Sequence, residues 1–134
     1  MTITNLDAKL LGALIRSRLR SSSKGRRQLV ALGERLERAF RMEEIPGDVV
    51  TMNSVLLVRE LRSSLSFCIA LVFPWEADPS EGRVSILSPL GSVVLGRREG
   101  EVVMCKEGRN IYRFRVEEVV FQPEAALLTS AGRT

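Results

Sequence analysis

The stretch 16–27 holds Arg16, Arg18, Arg20, Lys24, Arg26 and Arg27 and not one acid. A cation cluster of this kind suits an anionic partner, either nucleic-acid phosphates or the carboxylates of an acidic protein face. It equally suits a merely solvated end of the molecule, which is the common fate of charge runs. Little other chemistry is on offer. The chain has no histidine, so the commonest general base and the commonest metal ligand are both missing. Its two cysteines, Cys68 and Cys105, stand apart, each in an apolar run with no CxxC pattern. That spacing makes no zinc site, and in a reducing compartment both read as small core hydrophobes rather than a disulfide. Glu76, Asp78 and Glu81 do not follow the spacing of a calcium loop and read as solvating charges. Glu117-Glu118 has no base or nucleophile near it in sequence, so it reads as an exposed strand edge rather than a catalytic pair. No GxxxxGK[ST] occurs. These absences point away from an enzyme and call for no cofactor, metal or small-molecule substrate.

The charge is unevenly spread. Residues 1–45 carry ten Lys or Arg against five acids, and residues 46–134 carry ten against eleven, so the net charge of +4 arises entirely in the first third. With 134 residues, 45% apolar and 27% charged, the composition is that of one globular domain or a small domain with an appendage. No apolar run approaches the ~20 residues that span a bilayer. Asp7 and Lys9 interrupt the order expected of a secretion signal, so a cytoplasmic location without membrane contact is expected.

The elements that must carry the cations are helices. Leu6, Leu10, Ala13, Leu14 and Ser17 recur at helical spacing behind Asn5, a suitable N-cap, and Asp7, whose charge suits the first turn. Residues 21–25 break the pattern. Leu29, Leu32, Leu36, Ala39 and Phe40 draw a second stripe. Two such helices of about 15 residues pair as an antiparallel hairpin some 20 Å long, with the cations at its tip. Pro46-Gly47 closes this section. Beyond it the period falls towards two, and strands are expected over 49–61, 65–73, 83–87, 102–106 and 112–117, the last with Tyr112, Phe114 and Val116 on one face and Arg113, Arg115 and Glu117 on the other. Glu107-Gly108-Arg109-Asn110 is a hairpin turn. Ser88-Pro89 opens a short helix, with Ser88 as its cap, Pro89 at the first helical position and Gly96 closing it in the left-handed region. The loop 74–82 holds Trp75, which can anchor a partner or cover one end of the core. The expected architecture is α+β, a helical hairpin over 1–45, an antiparallel sheet with one short helix over 46–126, and a flexible tail over 127–134.

Several of these motifs resemble one family. Pro46-Gly47-Asp48-Val49-Val50-Thr51-Met52-Asn53-Ser54, Val72-Phe73-Pro74, Ser88-Pro89-Leu90-Gly91 through Leu95-Gly96, and Phe121-Gln122-Pro123-Glu124-Ala125 are similar to the C-terminal domain of the regulators of nucleoside diphosphate kinase, relatives of the GreA and GreB transcript-cleavage factors. The resemblance implies an FKBP-like fold for residues 46–126. It also implies a transcription regulator that binds RNA polymerase at the rim of the secondary channel, with the hairpin pointing inward and room for nucleic-acid contact in the complex. The docking role falls on Ser88, Pro89 and Leu90, and is compatible with Ser88-Pro89 being a helix cap. In Gre factors an acidic pair at the hairpin tip helps to hold a catalytic Mg²⁺. The tip here, Arg16 to Arg27, offers only cations where hard oxygen ligands are needed, so transcript cleavage is not expected. Two other readings stand beside this one: a nucleic-acid-binding module using the basic hairpin and, by analogy with the implied fold alone, a vestigial peptidyl-prolyl isomerase fold.

Overall fold

The computed structural model describes residues 2–21, 25–42 and 45–126, which leaves Lys24 and the tail 127–134 outside the described residues. A short strand, β1 (Thr2–Thr4), leads into α1 (Asn5–Ser21). The cap of α1 is Thr4 rather than Asn5, because the Thr4 Oγ1 accepts the backbone N–H of Asp7 at 3.0 Å. Gly25, at φ 70°, precedes α2 (Arg26–Arg38). β2 (Phe40–Met42) follows and pairs in parallel with β1, Thr2 opposite Phe40, which ties the ends of the hairpin together. Neither three-residue strand is long enough to show a period in the sequence.

The inward face of α1 also differs from expectation. Ala8, Leu11 and Ile15 are buried, whereas Leu6 is 64% and Leu10 44% exposed. α1 carries two adjacent apolar rows, each at four-residue spacing, so periodicity alone cannot say which row faces inward. Packing decides: Leu11 and Ile15 join Leu29, Leu32 and Leu36 of α2, which are buried as expected, whereas Ala39 is the half-buried C-cap of α2 and Phe40 belongs to β2 instead of the helical stripe.

The larger sheet contains β3 (Val55–Glu60), β4 (Ser66–Val72), β5 (Arg83–Ser85), β6 (Val102–Glu107) and β7 (Asn110–Phe121), in the order β5-β4-β3-β7-β6. It is mixed, not wholly antiparallel as expected, since β5 runs parallel to β4 with Ala70 beside Arg83 and Val72 beside Ser85. The cause lies in the loop: two 3₁₀ turns, Pro74–Glu76 and Pro79–Glu81, carry the chain back along β4 before β5 begins. Register shifts between β3 and β7 at Val55/Leu56 and Leu57/Val58 add twist and curl the sheet. The strand expected over 49–61 is confined to β3, because Val49 forms only a bridge to Arg98 and Asn53 turns the chain at φ 66°. Alternation in β4 turns Ile69 and Leu71 inward and Cys68 outward, so Cys68 is exposed instead of core; Cys105 is buried, and both thiols are free. Leu56, Val58, Leu71, Ile86, Val94, Leu95 and Val116 pack into one core with the hairpin residues Leu11, Leu29 and Leu32. Among the described residues no helix is long and apolar enough to cross a membrane.

α3 (Pro89–Val94) lies where the hairpin meets the sheet. Arg35 of α2 donates to the carbonyl oxygens of Ser92 and Leu95, the latter at 3.2 Å. The C-terminal end of a helix favours a cation and has carbonyls to satisfy. Burial first, and the neighbouring Arg97 second, push the Arg35 guanidinium down to about 10, so it stays charged at neutral pH. At the base of the hairpin, an Asp7 carboxylate oxygen accepts the Met52 N–H at 3.1 Å. Burial pushes the Asp7 carboxyl up to about 6 with help from Glu124, against the hydrogen bonds from Met52 and Thr4 that favour the ion.

Two outcomes follow. Arg35→Met, which keeps the aliphatic stem and removes the donors, is expected to lower stability by about 1.5–3 kcal/mol in denaturant unfolding, with faster amide exchange in α2. For Asp7, the unfolded chain ionises near 3.8 while the folded chain holds the proton to about 6. The contribution to stability is therefore full below pH ~4 and is lost as pH rises to ~6, about 3 kcal/mol at most. Asp7→Asn keeps an acceptor for Met52 and should melt progressively higher than the parent as pH rises through that window. A melting difference independent of pH would contradict this account.

Candidate functional site

The segment joining β5 to α3 is held by a few short contacts. Ser88 Oγ accepts the N–H of Gly91 at 3.0 Å and donates to the carbonyl of Ser85 at 2.7 Å, so one hydroxyl caps the helix and anchors the loop. Pro89 occupies the first helical position, where no N–H is needed. Gly91 is required by contact: a Cβ there would lie 1.9 Å from the Ser85 carbonyl oxygen. This packing sets Ser88, Pro89 and Leu90 along one side of a groove of about 390 Å³, half-buried and facing Phe67, Val84, Tyr112 and Phe114. Ring centroids lie 6.5 Å apart for both Phe67–Phe114 and Tyr112–Phe114. Phe67 is 43% exposed, at the open end of the strand row that buries Ile69 and Leu71. At the rim, Glu60 accepts the backbone N–H groups of Arg62 and Ser63, which fixes the turn beside it.

Such a groove has the shape and lining to take up an apolar side chain. Its floor is aromatic and aliphatic, and its one buried carboxylate is occupied by backbone donors. Among the described residues, no group of three or more His, Cys, Asp or Glu side chains is placed to hold a metal ion. The aromatic side of the groove was not singled out from the sequence, where Phe67, Tyr112 and Phe114 read only as the inward face of strands. The available signal was Phe67 continuing a buried row past the point where other strands could cover it.

The hairpin tip is the second feature. Arg16, Arg18 and Arg20 leave the last turns of α1 exposed, and Arg26 and Arg27 open α2, also exposed; Lys24 lies outside the described residues. None of the five arginines forms an ion pair with a described residue. Their positions differ electrostatically. Arg18 and Arg20 suit the negative end of α1, whereas Arg26 and Arg27 sit at the positive end of α2, with no acid in its first turn and no side-chain cap. The tip is not remote from the groove: Arg18, Gly25 and Gln28 share a cleft of about 360 Å³ with Ile86, Leu87 and Ser92, which flank the groove segment Ser88-Pro89-Leu90 in sequence.

Residues 45–121 match the family described as Transcription elongation factor, GreA/GreB, C-term. The chain belongs to this family. It is 36% identical over 99 residues to the Regulator of nucleoside diphosphate kinase of Escherichia coli, covering 72% of this chain and 73% of that protein. To the Transcription elongation factor GreA of Thermosipho africanus it is 28% identical over 81 residues, 60% of this chain and 52% of the relative. A solved prokaryotic transcription elongation factor GreA/GreB from Nitrosomonas europaea superposes with a TM-score of 0.72 at 35% identity, covering 90% of this chain and 99% of that one. The resemblance read from residues 46–54, 72–74, 88–96 and 121–125 is thus borne out, and helices beside a curled α+β sheet are the arrangement this GreA/GreB member shows.

The remaining sequence candidates resolve as structure. Trp75 is 70% exposed yet stacks flat on buried Phe73, ring centroids 5.0 Å apart, so it covers one end of the core. Ser80 Oγ donates to Asp78, a turn contact at 2.6 Å. Glu117 bridges Arg59 and Arg115 at 3.2 and 3.7 Å. Since Gly91 admits no Cβ, Gly91→Ala is expected to displace α3 from β5, cost ~1–3 kcal/mol in stability, and distort the groove. Loss of dispersion between the Phe67, Tyr112 and Phe114 ring resonances in the NMR spectrum would report the distortion.

Proposed function

We propose that this GreA/GreB family member is an RNA polymerase-binding transcription regulator and not itself an enzyme. It docks through the groove of Ser88, Pro89 and Leu90 at the rim of the secondary channel, within the cytoplasm, and presents its basic tip to the channel without supporting transcript cleavage. The observation that carries this reading is the composition of the tip: Arg16, Arg18, Arg20, Arg26 and Arg27 stand where cleavage would require carboxylates for Mg²⁺. The hairpin acids lie elsewhere, with Asp7 buried at the base and Glu34 and Glu37 down α2. α1 has 17 residues, which gives a hairpin of roughly 25 Å, short for reaching deep into a channel. The family membership supports the partner; the groove supports a protein ligand, since aromatic pockets with a capped helix beside them are what interface anchors fill.

The test is competition on cognate core polymerase. A backtracked complex is incubated with an authentic Gre factor and increasing amounts of this protein. Cleavage should fall with dose, and this protein alone should yield no cleavage product. Cleavage by this protein alone would overturn the reading of the tip, and unchanged cleavage at large excess would overturn the shared site. Arg26→Glu/Arg27→Glu sharpens the result. Acids suit the start of α2, so the double variant should gain about 0.3–1 kcal/mol per site in stability, while its competition is expected to weaken.

A further inference from the structure

The side of the sheet that faces away from α3 plays no part in the docking just described, and its composition is not that of an idle surface. Strand alternation puts Arg59 of β3, Arg113 and Arg115 of β7, and Val102, Met104 and Lys106 of β6 on this side, all exposed, while Val58, Val116, Val103 and Cys105 point inward. The register sets Arg115 between Arg59 and Val102, Arg113 opposite Met104, and Lys106 opposite Ile111. Like charges directly across a strand pair are destabilising, so the Arg59–Arg115 pairing is not there for the sheet. Glu117 offsets it by contacting both guanidiniums, at 3.2 and 3.7 Å. Arg113 and Lys106 have no carboxylate partner among the described residues. Between them stand Met104 and Ile111, each 48% exposed.

This face is continuous with the docking groove. A depression lined by Glu60, Leu61, Arg62, Ile111, Tyr112 and Arg113 shares Glu60 and Tyr112 with the groove that holds Ser88 and Leu90. A chain leaving the groove past Tyr112 meets Ile111 and Arg113 next, then Met104 and Lys106 across the register.

We propose that this sheet face is a second docking surface, and that its occupant is an acidic, amphipathic segment of the same protein that fills the groove. The inference rests on the groove being a protein-docking site. Carboxylates of the segment would pair with Arg113 and Lys106, and its apolar positions would cover Met104 and Ile111. Sheets that bind single-stranded nucleic acid offer exposed aromatics for base stacking. Here Tyr112 and Phe114 turn the other way into the groove, the side chains beside Arg113 and Lys106 are the aliphatic Met104 and Ile111, and the exposed aromatic of the outer face, Phe121, lies at the far end of β7 opposite Val55.

The experiment measures binding of the full chain to core RNA polymerase across a salt series, for the parent, for Lys106→Glu/Arg113→Glu, and for Leu90→Asp in the groove. Both reversed positions are exposed, and an unchanged melting temperature verifies the fold. The parent should bind with an affinity that falls as salt rises. The double reversal should weaken binding roughly tenfold at low salt and flatten the salt dependence, because the pairs it removes are rim pairs. If Leu90→Asp abolishes binding while the double reversal leaves affinity and salt slope unchanged, the groove reading stands and the second surface is overturned. If the parent itself does not bind polymerase, both fall. If the double reversal instead weakens binding to a single-stranded RNA oligonucleotide and not to polymerase, the occupant is nucleic acid and the proposal is wrong.

Discussion

The contact between Arg35 and the carbonyls at the end of α3 is the constraint on which the rest of the arrangement hangs. A helical hairpin has only one wide apolar stripe per helix, and α2 uses Leu29, Leu32 and Leu36 to reach the core. Hydrophobic packing of this kind is non-directional and tolerates sliding. The guanidinium is directional: it has to meet the oxygens of Ser92 and Leu95, and that pins the register of α2 along α3. The half-buried cation is held there because those oxygens lack helical partners of their own and carry the negative end of the helix dipole. Through this one residue the position of the hairpin tip is set relative to the groove, since the same short helix begins at Pro89 and ends beside Leu95.

α3 thus has two occupied ends with different duties. At its start, Ser88 joins the helix to the Ser85 carbonyl, and Gly91 allows the two backbones to touch. At its end, Arg35 and Arg97 supply donors, the latter to Val93 at 3.1 Å. A six-residue helix has little stability of its own, so its place depends on such contacts and on the burial of Val94 and Leu95 beneath the curled sheet. The groove wall made from its first turn is therefore held in place for reasons that lie elsewhere in the molecule, in α2 and in β5.

Sequence reasoning went furthest where a residue type has a single local meaning. Ser88 followed by Pro89 reads as a helix start, Gly96 adopts the left-handed conformation expected of it, and Leu29, Leu32 and Leu36 of the α2 stripe are buried as drawn. It failed where several residues of one type competed. α1 is rich enough in leucine that two rows look equally apolar, and only contact with α2 selects Leu11 over Leu10. The parallel pairing of β5 was invisible because it depends on how two 3₁₀ turns aim the chain, and three residues carry no directional signal. Arg35 was one basic residue among many on α2. Its place between Leu32 and Leu36 on the inward face was a usable clue, although a lone charge there is ordinarily read as helix periphery. The aromatic wall of the groove escaped for a related reason: alternation tells that Phe67 and Phe114 face one side, not that the sheet leaves them uncovered at its end.

The basic hairpin tip and the outer face of the sheet share a property that the core lacks, which is that local stability runs against them. Arg26 and Arg27 occupy the end of a helix where carboxylates belong, without a cap to compensate. Arg59 faces Arg115 across a strand pair and depends on a single glutamate for relief. Elsewhere the chain follows the local rules closely, with Thr4 and Ser88 at helix starts and arginines at the ends of α1 and α3. Sequences that fold to one structure tend to agree across levels and break rules mainly where something outside the fold is being served. An unpaired cation placed against the dipole, or against another cation, gains nothing within this chain. An anion brought by another molecule would relieve the cost at both places.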